Sequence, residues 1–134
     1  MRIAVRQAIE TELQALLAAQ APAIPFYSTV NERQRPTDPL WTTAEYYSDY
    51  ATAVCYAGKT RIENGTADII VYGRAGEGAT PALRLAEVIA DHFYRTRLPG
   101  EIVITDVVPP AEDTAGDAQP WYGVIVSLEV EYYL

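Results

Sequence analysis

Residues 69–104 constrain the fold most, because their pattern changes from strand to helix and back to strand. An apolar run that ends at Tyr72 predicts a strand, and a glycine-rich turn follows it. Thr80 and Pro81 predict the start of a helix, since threonine caps free amide groups and proline is tolerated at the first helical position. The glycines of the turn are Gly73, Gly76 and Gly78.

The predicted helix has one apolar and one polar stripe, so it is expected to pack on a sheet through a single face. The apolar stripe contains Ala82, Leu85, Ala86, Ile89, Ala90 and Phe93. The polar stripe contains Arg84, Glu87, Asp91 and Arg95. Pro99 and Gly100 are expected to end the helix, and residues 101–108 to form the next strand.

The flanking sequence predicts the remaining elements of this sheet. They are a helix over residues 2–19, a short strand over 26–31, a long strand over 41–57 that bends near Ala51, a returning strand over 59–72, and a strand of strict period two over Trp121–Tyr133. Asn64 and Gly65 either split the returning strand or kink it. Residues 31–40 and 109–120 are predicted loops, because both are polar and proline-containing. The order of elements predicts an α+β fold, a mostly antiparallel sheet with two helices on one face.

Bulk composition restricts the function. A chain of 134 residues is expected to form one domain, 1–134. Its net charge of −8 disfavours nucleic-acid binding, because an acidic surface repels phosphates. No apolar run is long enough to span a membrane. Arg6 and Glu10 interrupt the N-terminal segment, so it is not a signal peptide and the protein is expected to be made and kept in the cytoplasm.

Few residues here can support catalysis or hold a cofactor. The chain has one cysteine, Cys55, and one histidine, His92, so neither a disulfide nor a His/Cys metal site is expected. Cys55 has no basic neighbour and is interpreted as a small core residue, and His92 as a partly buried structural residue with no obvious partner. The glycine turn matches neither phosphate-binding pattern and has no lysine, so its glycines are expected to serve the backbone. The prediction is therefore a non-enzymatic protein without cofactor or metal.

Acidic and aromatic residues favour an interaction surface instead. Glu129 and Glu131 share the polar face of one strand, and Glu112, Asp113 and Asp117 lie in a predicted loop. Arg33 and Arg35 lie in the other long loop. Contact between a basic and an acidic patch of two copies would be heterologous and could close a ring, but ordinary solvated charges remain an equal alternative. Ten tyrosines against two phenylalanines also suit half-buried or contacting surfaces.

The order of these patterns resembles the tail terminator, or tail completion, proteins of long-tailed phages, the family that includes the minor tail protein U of phage lambda. The similarity is spread over nearly the whole chain. It is carried by the N-terminal amphipathic helix, IPFYSTVNERQRPTDPLW, IIVYGRAGEGATPALRLAEVIADHF, LPGEIVITDVVPP and WYGVIVSLEVEYY.

The resemblance implies a homo-oligomeric ring, a hexamer in the family, in the virion tail. Such a ring would be assembled in the host bacterial cytoplasm, cap the tail tube, end its growth and present the surface for the head. Its partners would be other copies, the tail tube protein and a head completion or connector protein, with DNA passing through the lumen without specific binding. The residues expected at subunit or tube contacts are Asn31, Arg33, Arg35, Arg74, Glu112, Asp113 and Asp117. Alternatives are a head–tail connector or neck protein and a small α+β domain that binds an anion at the glycine turn.

Overall fold

The computed structural model describes residues 1–28, 37–53, 61–74, 78–112 and 121–133. Its elements follow the order α1 (Ile3–Ala18), β1 (Leu40–Ala53), β2 (Arg61–Arg74), α2 (Thr80–Phe93), β3 (Arg97–Leu98), β4 (Ile102–Glu112) and β5 (Trp121–Tyr133). The strands form one antiparallel sheet in the order β1-β2-β5-β4-β3. The predicted α+β fold is confirmed.

The hydrophobic core lies between the helices and one face of the sheet. The predicted stripe of α2 is buried, with Ala86, Ile89 and Phe93 fully inaccessible. Strand β5 alternates as its period-two pattern predicts, and the buried residues in the middle of β5 face buried residues of β2. The facing pairs are Ala67 with Leu128, Ile69 with Val126 and Val71 with Val124. Helix α1 adds Val5, Ile9, Leu13 and Leu17 to the same cluster.

Gly65 neither splits β2 nor ends it. The irregularity lies in the neighbouring strand instead, as a bulge in β1 between Ser48 and Tyr50, close to the predicted bend near Ala51. A Cβ atom at Gly65 would lie 2.6 Å from the carbonyl oxygen of Tyr47 and 2.9 Å from Cε of Met1. Glycine is therefore required here by close approach of β1 and the N-terminus rather than by a turn.

Two boundaries of α2 were predicted wrongly. Thr80 lies inside the helix, the capping position is Ala79, and no side chain caps the amides. The helix ends at Phe93, before Pro99 and Gly100, because Tyr94 leaves helical geometry and Arg95 adopts a φ of 54°. That turn leaves room for the short strand β3, which the sequence did not predict.

Two strand assignments also change. The predicted strand over residues 26–31 is reduced to a single parallel bridge between Phe26 and Thr42 within the described residues. The predicted loop over 109–120 begins later, because β4 continues through Pro109 and Pro110 to Glu112. Proline is tolerated there because Pro109 and Pro110 fall in a register shift between Val108 and Ala111, where pairing with β5 is interrupted, and β3 pairs only with the start of β4.

Candidate functional site

The ends of four strands meet at one end of the sheet. Strand β1 begins there at Leu40, β2 ends at Arg74, β4 ends at Glu112 and β5 begins at Trp121. Arg74 is paired in register with Trp121, and Glu112 with Val124. We call this part of the molecule the Arg74 end.

The sequence-predicted interface residues that can be placed lie at the Arg74 end. Arg74 is exposed, and its Nη2 atom donates a hydrogen bond to the carbonyl oxygen of Thr37. Glu112 is exposed as well, on β4, which only β5 separates from the strand of Arg74. Sequence reasoning therefore chose two residues that the fold brings to one end. Those outside the described residues are Asn31, Arg33, Arg35, Asp113 and Asp117.

An apolar pocket of about 340 Å³ opens beside Arg74. It lies between the segment that follows α1, the start of β1 and the start of α2. Prolines from all three segments line it: Pro22, Pro25, Pro39 and Pro81. Sequence reasoning missed the pocket, because each proline was interpreted only as a helix or loop boundary. Such a pocket can bury an apolar side chain, and the guanidinium at its rim can bind a carboxylate.

The face of the sheet opposite the helices, here called the open face, carries adjacent carboxylates. Glu45 of β1 is paired in register with Asp68 of β2, and Asp106 of β4 with Glu129 of β5. Asp49, at the bulge of β1, accepts a hydrogen bond from a β2 threonine on the same face. The open face therefore presents a negative potential, and like charges this close are retained at some cost in stability.

Aromatic rings occupy the open face nearer the Arg74 end. Trp41 is 2% exposed and stacks on Tyr72, with ring centroids 4.4 Å apart. The ring of Tyr27 meets Trp41 edge-on at 6.0 Å, and its hydroxyl donates a hydrogen bond to Oδ2 of Asp38 at 2.7 Å. These contacts hold the segment before β1 against the sheet.

The residues weighed for chemistry form no catalytic constellation among the described residues. His92 is close to Glu12, with 2.8 Å between its Nε2 and Oε1 of the carboxylate, so the interpretation of a histidine without a partner is wrong. This contact joins α2 to α1 across 80 residues of sequence, which a local pattern cannot reveal. Of the turn glycines, Gly73 lies in β2 and Gly78 has a φ of 83°. Gly76 and Cys55 lie outside the described residues.

Two kinds of feature are missing from the part of the chain that the structure describes. It holds no group of three or more side chains arranged to bind a metal ion. It also has no helix of the length and hydrophobicity needed to span a membrane.

An ion pair and a hydrogen bond to Glu63 connect the N-terminal segment to the sheet. Glu63 of β2 accepts hydrogen bonds from Arg2, at 2.9 Å from Nε, and from the hydroxyl of Tyr132. These bonds, first that of Arg2, lower the pKa of the Glu63 carboxyl to about 2. Because Tyr132 is 5% exposed, its hydroxyl provides the Glu63 carboxylate with a hydrogen-bond donor next to the core.

The Glu63 network predicts a defined acid sensitivity. A carboxyl whose pKa is depressed in the folded state stabilises the protein above its unfolded pKa and loses that stabilisation as the pH falls toward the folded value. Stability should therefore fall between the ordinary glutamate pKa and pH of about 2. In Glu63→Gln, stability at neutral pH should be lower and its dependence on pH in that window shallower, as measured by urea unfolding at several pH values. A Glu87→Gln control, altered on the exposed face of α2, should keep the wild-type slope; equal slopes in all three proteins would contradict the assignment.

Comparisons with known proteins assign the chain to a family. A family model described as phage tail terminator protein matches residues 4–130. The chain belongs to the phage tail terminator family. A search of curated proteins found no match.

Solved structures share the fold of this tail terminator. One is 21% identical with a TM-score of 0.68, covering 96% of this chain and 92% of that chain. Another, from the virion of a native gene transfer agent particle, is 16% identical with a TM-score of 0.71, covering 99% of this chain and 100% of that chain. The sequence resemblance to tail terminators is thereby confirmed, and both likenesses extend over nearly the whole fold.

Proposed function

We propose that this tail terminator acts as a ring, a hexamer by analogy with its family, that caps the tail tube, ends its growth and presents the surface that joins the head. It would act as a single domain, 1–134, by binding rather than by catalysis, without a cofactor. Its place would be the virion tail, after assembly in the host bacterial cytoplasm. The observation that carries the proposal is the family match over residues 4–130.

The Arg74 end is the surface we assign to the tail tube. It combines an exposed cation, Arg74, an exposed anion, Glu112, and an apolar pocket that Arg74 helps to line. Apolar centres with a charged rim are typical of specific protein interfaces. Capping then results from steric blocking, because a subunit bound to the last ring of tube protein covers the surface to which the next ring would bind.

The open face is the surface we assign to the lumen. Its carboxylates away from the β1 edge, Asp68, Asp106 and Glu129, would repel the phosphates of passing DNA, so that DNA slides without binding. A ring lined instead by Arg33, Arg35 and Arg74 would contradict this assignment.

Neutralising Glu112, Asp113 and Asp117 should weaken capping and leave the fold intact. Glu112 is paired with Val124, so substitution is a cleaner change than deletion, which would shorten β4. In Glu112→Gln/Asp113→Asn/Asp117→Asn, we expect about tenfold weaker inhibition of tube growth, because charged groups at an interface set its complementarity. Tube length would be measured by electron microscopy of purified tail tube protein polymerised with each variant.

The matched control is Glu87→Gln, which removes a carboxylate from the exposed face of α2. It should cap as well as the wild type, and all variants should melt at similar temperatures. Undiminished capping by the triple variant would show that these three carboxylates do not contribute to the tube contact. A wild-type protein that binds a head connector but never limits tube length would favour the neck-protein alternative.

A further inference from the structure

The two edges of the sheet differ in how they are protected against other strands. On the outer side of β1, the single pairing within the described residues is the Phe26 bridge to Thr42, which leaves the backbone from Ala44 onward uncovered. The other edge is covered by β3 at its start and carries Pro109 and Pro110 further along. Proteins usually blunt exposed edges with proline, charged side chains, bulges or a covering strand, and the described part of β1 has a bulge and carboxylates but no proline after Leu40. Among the described residues, the β1 edge is therefore the edge with more backbone free to pair with a partner.

The β1 edge is acidic and aromatic. Its exposed tyrosines, Tyr47 and Tyr50, are 47% and 66% accessible. Glu45 and Asp49 lie beside them, and the Tyr47 hydroxyl donates a hydrogen bond to Oε2 of Glu45 at 2.7 Å. Exposed tyrosines with a polar rim are enriched at protein interfaces. We call these residues the acidic edge.

The opposite edge of the sheet has the complementary character. Tyr94 is 52% exposed, and the guanidinium carbon of Arg95 lies 5.3 Å from the centre of its ring. Arg97 is exposed in β3. Within the described residues neither arginine forms an ion pair, although Asp91 and Glu101 are close in sequence. We call Tyr94, Arg95 and Arg97 the basic edge.

We propose that the acidic edge of one copy binds the basic edge of the next copy, with Tyr47 and Tyr50 packed near Tyr94 and the carboxylates paired with the arginines. The inference rests on the proposed ring. The ends of strands and the edges of a sheet face perpendicular directions, so a subunit that meets the tube through its Arg74 end keeps its edges for lateral neighbours. Because each copy contributes a different surface, the contact is heterologous and repeats until it closes.

Charge reversal tests the pairing and its heterologous character together. Asp49→Arg and Arg97→Glu should each weaken self-association by about tenfold or more, because each places like charges opposite one another. An equimolar mixture of the two should regain oligomers of the wild-type size, because native contacts would alternate with contacts in which both charges are reversed. The chain that carries both substitutions should regain the wild-type oligomer. Mass would be followed by light scattering and native mass spectrometry over a wide concentration range.

Matched controls are Arg84→Glu and Glu87→Arg, both on the exposed face of α2 and away from either edge. They should assemble as the wild type does. An Asp49→Arg protein that keeps the wild-type oligomer, or a mixture that stays monomeric, would overturn the proposal.

A second measurement applies if the wild-type protein is monomeric in the absence of tail tubes. In a background with Cys55 replaced by serine, Tyr50→Cys and Arg97→Cys proteins are mixed on tail tubes and oxidised. A disulfide-linked dimer is expected, and none from Tyr50→Cys mixed with Arg84→Cys. Failure to cross-link on tubes that the wild type caps would overturn the edge pairing while leaving capping intact, whereas edge-linked rings that never cap would contradict the proposed function alone.

Discussion

Phe93→Ala is expected to lower the free energy of unfolding by about 3–5 kcal/mol, the usual range for deleting a fully buried aromatic ring. Phe93 is 0% exposed at the last residue of α2, where the helix leaves the sheet. The substitution would leave a cavity in the core between α2, α1 and the sheet. We expect the surrounding side chains to fill little of it, because they are held by both helices and the sheet. For a chain of this size the melting temperature should fall by roughly 10–20 °C.

Urea unfolding followed by circular dichroism would measure this loss. Val88→Ala is the matched control on the same helix, because Val88 is 40% exposed and loses few contacts. It should cost about 0.5 kcal/mol or less. A Phe93→Ala protein that differs from this control by under about 1 kcal/mol would show that α2 does not close the core as described.

Gly65→Val should destabilise the protein by about 3 kcal/mol, at the upper end of the usual cost of overpacking. The new Cβ would lie 2.6 Å from the carbonyl oxygen of Tyr47, which is backbone and cannot rotate away. The strain should open the adjacent part of β1, including the bulge that places Asp49 and Tyr50 at the acidic edge. Self-association should therefore weaken together with stability.

Gly73→Ala is the control for Gly65, since both are buried glycines of β2. A Cβ atom at Gly73 would meet Cβ of Ala82 at 3.4 Å, an ordinary contact at its close limit. We expect a change under about 1 kcal/mol. Hydrogen exchange would locate the damage: faster exchange should appear in β1 for Gly65→Val and be absent for Gly73→Ala. Equal stability of the two variants would contradict the close approach of β1 and β2.

Sequence patterns correctly predicted the elements in which the spacing of apolar residues depends only on which face is buried. Strand β5 and the buried stripe of α2 are such elements, because each buries one face against a neighbour that runs its whole length. The patterns failed where the structural effect of a residue depends on the strand or helix beside it. Pro109 and Pro110 signalled a loop, yet proline is compatible with a strand whose outer side is unpaired. Thr80 signalled a cap, yet the helix begins one residue earlier than that role requires.

The candidate site was less accessible to sequence reasoning. Arg74 and Glu112 were chosen from their chain position, and the fold does bring them to one end of the sheet. The proline-lined pocket beside Arg74 is assembled from distant segments of the chain, so no local sequence pattern predicts it. The same holds for the contacts of Glu63 with Arg2 and of His92 with Glu12, which join residues 61 and 80 positions apart.

The place of β5 in the sheet bears on how the protein is made. It is the final strand in sequence, yet it lies in the middle of the sheet, between β2 and β4. A growing chain that has reached Glu112 holds the β1–β2 pair, both helices and β4 with no strand to join them. Long-range pairing of this kind is slow, and it cannot start before Trp121–Tyr133 is synthesised. A translation product that is interrupted before Trp121 therefore lacks the strand that joins β2 to β4, and its sheet cannot be completed.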